Sequence, residues 1–205
     1  DYIIINGSEC EPYLTSDYRL MVERSKDIIE GISIVLRLFE KAEAIIGIED
    51  NKPKAIDALS FECNGNNRIN VMPLSTRYPQ GGERRLISSV TGRQINSHIL
   101  PADAGVIVLN IATIIAIFEA VKMNMPLVHR VVTLTGDGIN EPGNMDVPLG
   151  ISHKYLADEC GGIKDSTVKI ISGGPMMGMA MNSLDYPVIK TSSSILAITH
   201  DDVEK

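Results

Sequence analysis

The sequence contains no tryptophan, and aromatic residues make up only 4% of its 205 positions. Hydrophobic residues still account for 44% of the chain, so a sizeable core must be built from Ile, Leu, Val, Met and Ala. Lys and Arg are outnumbered by Asp and Glu, 19 to 26, which gives a net charge of −7. Because binding to nucleic acid needs clustered cations that meet phosphates, we expect no nucleic-acid partner.

Cysteine is also scarce. The three cysteines, Cys10, Cys63 and Cys160, lie far apart and form no C-x-x-C pair. This spacing argues against a disulfide framework and against a zinc or iron–sulfur site formed by this chain alone. The four histidines are scattered without a recurring ligand spacing. We therefore predict no metal site and no catalytic residue of the acid–base or nucleophilic kind, and we expect a reducing, cytoplasmic setting.

Long hydrophobic runs are absent as well. The most apolar stretch, residues 105–121, includes Asn110 and Glu119 and is too short and too polar for a membrane span. We expect it to form a strand that leads into a helix. No signal peptide is visible. Since the chain begins inside an apolar run without an initiator Met, we interpret it as a fragment of a longer protein.

Apolar runs alternate with segments of helical periodicity in the first part of the chain. Strands are predicted at 2–5, 43–49, 69–74 and 105–109, and helices at about 25–41, 53–63 and 111–123. This order is typical of an α/β fold with a doubly wound, mostly parallel sheet. The pattern changes after Pro126, which disfavours helix at the preceding residue. We therefore predict one domain over residues 1–126 and a second, smaller one over residues 127–205.

Polar loops follow several of the predicted strands. The first, residues 6–13, carries an amide, a hydroxyl and two carboxylates between a buried strand and a helix start at Thr15 or Ser16. In open α/β sheets ligands bind at the carboxyl ends of strands. Such a loop suits ribose hydroxyls, amide groups or water and would repel phosphate. The alternative is a hydrophilic turn that caps a helix.

Two further junctions have the same character. Gly81 and Gly82 precede a helix that begins near Glu83, where a ligand could approach the backbone closely; a plain loop is the alternative. Asn110 stands between the fourth strand and its helix, where a helix cap is the alternative to a binding role. A Gly-rich loop at residues 173–178 is interpreted as structural, with its methionines filling apolar gaps.

Three of these segments resemble one family. Residues 6–15, Asn-Gly-Ser-Glu-Cys-Glu-Pro-Tyr-Leu-Thr, residues 78–83, Tyr-Pro-Gln-Gly-Gly-Glu, and residues 173–178 look like phrases of the C subunit of the Rnf electron-transport complex. That family is similar to the flavin subunit of respiratory complex I. The resemblance implies a Rossmann-like flavin- and NADH-binding domain, followed by a soluble-ligand-binding β-grasp (SLBB) domain over residues 127–205.

The resemblance also implies a set of cofactor-binding residues. Asn6 and Glu9 would face the flavin, Glu11 and Glu83 the nicotinamide nucleotide, and Asn110 the isoalloxazine ring and ribityl chain. Arg84 replaces a second glutamate of the complex I pattern. The whole implied set is Asn6, Ser8, Glu9, Glu11, Gly81, Gly82, Glu83 and Asn110.

The activity implied by the family is hydride transfer from NADH to FMN, followed by electron transfer to iron–sulfur clusters. It belongs to a membrane-bound NADH:ferredoxin oxidoreductase coupled to ion translocation. The expected cofactors are FMN and NAD(H), with 4Fe–4S clusters in the full-length protein but not in this chain. The expected partners are the other subunits of the complex, at the cytoplasmic face of the membrane.

Two parts of the family pattern fall outside these residues. The Gly-rich loop that wraps the flavin phosphate precedes this segment, and the cluster cysteines follow it. We therefore expect this chain alone to purify colourless and inactive. The alternative function is a non-catalytic nucleotide-binding or docking module of a membrane complex.

Overall fold

The computed structural model describes residues 1–96 and 98–200. The chain divides into two compact units. The first unit comprises residues 1–10 and 17–126, and the second comprises residues 11–16 with the described residues from 127 onwards. The short segment 11–16 thus belongs to the second unit. The predicted division between residues 126 and 127 does not include this assignment.

The first unit alternates strands and helices. Its elements, in chain order, are β1 (Tyr2–Gly7), α1 (Ser16–Glu23), α2 (Ser25–Leu36), β2 (Glu43–Glu49), α3 (Pro53–Cys63), β3 (Ile69–Leu74), α4 (Glu83–Thr91), a 3-10 turn (Pro101–Ala104), β4 (Val106–Asn110) and α5 (Ile111–Lys122). The strands form a parallel sheet in the order β3-β2-β1-β4.

Helices cover both faces of this sheet. Ile4 and Ile45 point to the face on which Leu86 and Ile87 of α4 pack. Their neighbours along the strands point the other way because successive strand side chains alternate; there α2 packs against α3 and α5, most closely where Gly31 meets α5. The expected doubly wound α/β fold is confirmed.

Helix α2 is shorter than the sequence predicted. The expected helix runs to residue 41, but α2 ends at Leu36, and Phe39 is 39% exposed. The cause lies far along the chain: the Arg68 guanidinium donates hydrogen bonds to the carbonyl oxygens of Leu36, Phe39 and Ala42. Carbonyl groups at a helix end need hydrogen-bond donors. Here the Arg68 guanidinium supplies these donors, so the chain forms a non-helical turn and α2 does not continue.

The second unit is built on a mixed five-stranded sheet. Its elements are β5 (His129–Thr135), β6 (Gly143–Pro148), α6 (His153–Glu159), β7 (Thr167–Ser172), β8 (Met179–Met181) and β9 (Ser194–Thr199), with strand order β6-β5-β9-β7-β8. Among the described strands of this sheet, β5 and β9 alone pair in parallel, and the other pairs are antiparallel. Its hydrophobic core includes Val132, Leu134, Leu156, Ile195 and Ala197.

Two expectations for the second unit were wrong. The sequence Pro-Gly-Asn at residues 142–144 predicts a turn, whereas Gly143 and Asn144 begin β6, an edge strand that pairs with β5. The methionines of the Gly-rich loop fill no apolar gap, since Met176 and Met177 are 57% and 79% exposed. The loop runs along the surface beside the short edge strand β8 and so has no core to reach.

Candidate functional site

The carboxyl edge of the first sheet contains a topological switch point. The chain proceeds from β1 to β2 and β3 on one side, and then returns to place β4 on the other side of β1. Open α/β sheets bind ligands in the crevice at such a point. Asn6 and Asn110 are paired directly across it, as the last residue pair in the register of β1 with β4.

On one side of β1, the loop after this strand is joined to the turn before α4. The Asn6 amide donates to the carbonyl oxygen of Gly81 over 2.9 Å, and its Oδ1 accepts from the Ser8 backbone N–H over 3.1 Å. Ser8 is 7% exposed, and its hydroxyl donates to the carbonyl oxygen of Gly47 over 3.4 Å. The structure thus brings together three residues that the sequence predicted, Asn6, Ser8 and Gly81.

Gly81 has no space for a side chain. A Cβ atom built there would lie 2.5 Å from the backbone oxygen of Ser8, closer than non-bonded atoms approach. Gly82 is less restricted, because its Cβ would lie 3.2 Å from the carbonyl oxygen of Pro79. Close packing between the two loops therefore explains the glycine at 81. A ligand's approach to this backbone stays a prediction.

Glu9 lies at the start of helix α1. Its carboxylate accepts hydrogen bonds from the backbone N–H groups of Asp17, over 2.8 Å, and Tyr18, over 3.2 Å. These are first-turn N–H groups that have no partner within a helix. Burial, together with the charge of Asp17, raises the pKa of Glu9 from 4.5 to about 7, against the opposing effect of the two N–H groups and Lys52.

Lys52 is a residue that the sequence analysis missed. Its ammonium donates to the backbone oxygen of Glu9 over 3.1 Å and pairs with the Glu49 carboxylate over 2.9 Å. Glu49 is 2% exposed, so the pair is well shielded from water. The spacing of three residues between Glu49 and Lys52, where β2 leads into α3, was the available signal. A cation, the Lys52 ammonium, therefore lies at this edge and is paired with the Glu49 carboxylate.

Asn110 caps helix α5, which is the alternative to a binding role that the sequence left open for this residue. Its Oδ1 accepts from the backbone N–H of Ala112 over 2.8 Å. Its amide nitrogen donates to Oδ2 of Asp17 over 2.7 Å. Sequence reasoning missed Asp17, because its contact is 93 positions away along the chain.

Two carboxylates of the predicted set remain, Glu83 and Glu11. Glu83 is the exposed first residue of α4. Glu11 belongs to the second unit, where its Oε2 accepts from the backbone N–H of Met176 over 3.1 Å. A Cβ at Gly174 would collide with this carboxylate, so a glycine is needed beside it. A role for either residue with a nucleotide stays a prediction.

The donor set at this edge suits part of a flavin better than the whole. Amide groups at Asn6 and Asn110 and the carboxyl of Glu9 match ring N–H and carbonyl groups and the hydroxyls of a ribityl chain. Lys52, a cation at this edge, is already paired with Glu49, so it is poorly available to a phosphate. Within residues 1–96 and 98–200, no group of three or more His, Cys, Asp or Glu residues could hold a metal ion. None of the helices in those ranges is long and apolar enough to cross a bilayer.

Fold and edge together define a class of α/β ligand-binding proteins, with a doubly wound parallel sheet followed by a mixed-sheet unit. The chain belongs to the Nuo51 FMN-binding domain family, whose model matches residues 1–119. A second family model, the SLBB domain, matches residues 131–180. The expected SLBB domain is therefore confirmed.

Full-length relatives are components of oxidoreductase complexes. The chain is 49% identical, over 99% of its length, to the C subunit of the proton-translocating ferredoxin:NAD(+) oxidoreductase complex of Clostridium ljungdahlii. It is 40% identical, over 100% of its length, to the C subunit of the Na(+)-translocating ferredoxin:NAD(+) oxidoreductase complex of Acetobacterium woodii. It spans 44% and 46% of these two relatives. The resemblance to the Rnf C subunit that was inferred from the loops is confirmed.

A solved structure has the same fold. A chain in the crystal structure of an NAD+-reducing [NiFe]-hydrogenase in the H2-reduced state superposes with a TM-score of 0.80 at 16% sequence identity. The superposition covers 100% of this chain and 41% of the hydrogenase chain. At this identity the likeness shows the fold alone.

Proposed function

We propose that this chain is the flavin- and nucleotide-binding part of an electron-transfer subunit in an ion-translocating ferredoxin:NAD+ oxidoreductase complex. The observation that carries the proposal is the pairing of Asn6 with Asn110 across the switch point of the parallel sheet. Ligands of open α/β sheets bind at this point. The family of the FMN-binding model and the names of the relatives support FMN as the ligand.

The residues divide between the two nucleotides. Asn6, Ser8, Glu9, Gly81, Gly82 and Asn110 would hold the flavin ring and ribityl chain, since they surround the ends of β1 and β4 or pack directly against them. Glu83, exposed at the start of α4, would meet the nicotinamide nucleotide, and Glu11 is the second carboxylate of the predicted set assigned to that nucleotide. Carboxylates near the flavin would disfavour its anionic reduced form and so lower its reduction potential.

Bound FMN would supply acceptance of hydride from NADH and release of electrons one at a time. No residue of this chain needs to transfer a proton for hydride to move. The chain's task is position and electrostatics: it orients the cofactor at the switch point and keeps carboxyl groups beside it. The electrons would pass to 4Fe–4S clusters in the full-length protein. The flavin phosphate would need donors beyond this edge, so residues 1–205 alone would be inactive.

The assembly follows from the relatives. Both relatives are named as the C subunit of an oxidoreductase complex, so the partners of this chain would be the other subunits of such a complex. It would lie at the cytoplasmic face of the membrane, attached through those subunits.

Reconstitution of the full-length natural protein tests this function. The purified protein should bind about one FMN, and anaerobic addition of NADH should bleach the visible flavin absorbance. A matched Asn110→Ala preparation should bind flavin more weakly. A wild-type protein that retains no flavin, yet binds its partner subunits normally, would favour the alternative, a non-catalytic docking module.

A further inference from the structure

We propose that Asp17 is the positioning residue of this edge: its carboxylate fixes the orientation of the Asn110 amide, and its backbone N–H holds Glu9. This inference rests on the proposed function, because it assigns a role toward the flavin. It adds a residue that lies outside the three loops singled out in the sequence. Asp17 acts on Asn110 through its carboxylate and on Glu9 through its backbone N–H, and it need not touch the cofactor.

The first step concerns the two ends of the Asn110 amide. Its oxygen accepts from the N–H of Ala112, which caps α5, and its nitrogen donates to Asp17. A primary amide carries two N–H donors and one oxygen with two lone pairs. With both ends engaged, the amide cannot exchange its oxygen and nitrogen without losing two hydrogen bonds. One N–H is left for a ligand, in an orientation that Asp17 determines.

The second step concerns Glu9. Its carboxylate accepts from the backbone N–H of the same Asp17. One residue of α1 therefore connects the loop after β1 with the cap at the end of β4, on the two strands that border the switch point. Two further charged residues belong to this network: Lys52, which donates to the Glu9 backbone oxygen, and Glu49, which pairs with Lys52. Both of these lie where β2 leads into α3, on the side of β1 away from β4.

The third step separates this role from ordinary helix stabilisation. An acidic residue in the first turn of a helix is favourable because of the helix dipole, and that would be reason enough for Asp17 in α1. Asp27 occupies the same kind of position in α2, and its carboxylate pairs with Arg24 three residues away. The Asp17 carboxylate instead reaches the end of β4. Asp27 is therefore a matched control for the dipole effect.

The test uses FMN titrations of the full-length protein, with affinity read from quenching of flavin fluorescence. Asp17→Ala should weaken FMN binding by about tenfold, the effect of losing a hydrogen bond to a charged group. Asp17→Asn should restore most of that affinity, because an amide oxygen can still accept from Asn110. Asp27→Ala should leave the affinity unchanged. The double variant Asp17→Ala/Asn110→Ala should bind no more weakly than Asn110→Ala alone, since the two residues act as one unit.

A second measurement needs no flavin. In the nuclear magnetic resonance spectrum of the flavin-free protein, the side-chain amide protons of Asn110 should differ in chemical shift from those of a solvent-exposed Asn and should exchange slowly with water. In Asp17→Ala, their chemical shifts and exchange rates should become those of a solvent-exposed Asn. Additive losses in the double variant, or Asp17→Asn binding as weakly as Asp17→Ala, would overturn the inference. If wild-type protein binds no FMN, the proposed function fails, and the amide signals alone decide whether Asp17 positions Asn110.

Discussion

The polar groups at the edge of the first sheet and one buried histidine of the second unit differ in their hydrogen bonding. In the first unit, polar side chains at the sheet edge have hydrogen-bond partners: the Asn6 amide donates to the Gly81 carbonyl oxygen, the Glu9 carboxylate accepts from the Asp17 backbone N–H, and the Asn110 amide donates to the Asp17 carboxylate. In the second unit, His153 is 3% exposed, and neither ring nitrogen has a hydrogen-bond partner among the described residues.

The difference has a physical meaning. Polar groups whose hydrogen bonds are made hold one arrangement, which suits an edge that must present groups to a ligand. An imidazole without partners costs stability and gives no such arrangement. We therefore expect changes at the first edge to alter cofactor binding, and the comparable changes in the second unit to alter stability alone.

The largest effect is expected from Gly81→Ala. Its Cβ would lie 2.5 Å from the Ser8 backbone oxygen, so one of the two loops must move, at a cost of about 1–3 kcal/mol in stability. Because the movement separates predicted flavin contacts, FMN affinity should fall by about a hundredfold, as measured by fluorescence titration of the full-length protein.

Gly143→Ala is the control for that change. Nothing lies within 4 Å of a Cβ at Gly143 in strand β6, so both stability and flavin affinity should be retained. Equal FMN affinity in Gly81→Ala and wild type would show that the contact between the two loops has no part in cofactor binding.

The second effect is a pair of opposite pH dependences. Glu9 has a pKa of about 7 against an ordinary 4.5, so the folded state holds its proton more tightly than the unfolded state. The first unit should therefore become more stable as the pH falls from about 7.5 to about 5, by at most about 3 kcal/mol.

His153 should act in the other direction. Burial lowers its pKa below the ordinary 6.5, so its unfolded form takes up a proton first as the pH falls. The second unit should thus lose stability below about pH 6.5. Urea unfolding followed through amide signals of β1 and β9 separates the two units. Glu9→Gln and His153→Phe should each flatten the slope of its own unit, and parallel slopes in the wild type would contradict both assignments.

The third effect separates capping from binding. Asn110→Ala and Ser152→Ala both remove a side chain that caps a helix, α5 and α6 respectively. Each should cost about 1 kcal/mol of stability in its own unit. Only Asn110→Ala should also weaken FMN binding, by about tenfold. A similar loss of flavin in Ser152→Ala would mean that reduced stability, rather than a lost contact, explains both results.

The smallest effect is expected at Glu83. Because this carboxylate is exposed, its removal should leave stability and FMN retention unchanged, and should raise the KM for NADH by about tenfold through a lost hydrogen bond. Steady-state reduction of an artificial acceptor by the full-length protein measures this. Asp57→Ala, at an exposed position on α3, is the control. A KM for NADH that does not change in Glu83→Ala would remove Glu83 from the nucleotide site.

Much of the first unit could be predicted because its signals are local. Continuous apolar runs such as Ile3–Ile5 indicate buried parallel strands, and loops at their carboxyl ends indicate where a ligand binds. The early end of α2 could not be predicted, because Arg68 reaches Leu36 from 32 positions away along the chain. Asp17 was missed for the same reason, since nothing in its neighbourhood in the sequence points to Asn110.

The second unit was predicted less well. Strand β6 lies at a sheet edge and begins with Gly143 and Asn144, residues that are typical of turns. Strand β8 has only three residues, Met179–Met181, too few for a periodic pattern. These strands exist because β5 and β7 pair with them, and pairing partners distant in the sequence leave no local signal.

Hydrogen–deuterium exchange of the full-length protein, with and without FMN, tests most directly whether the flavin binds at the switch point. FMN should slow exchange of backbone amides in residues 6–10, 81–83 and 110–112, and should leave residues 173–178 of the second unit unchanged. Protection confined to residues 173–178, with no change at the ends of β1 and β4, would contradict the account.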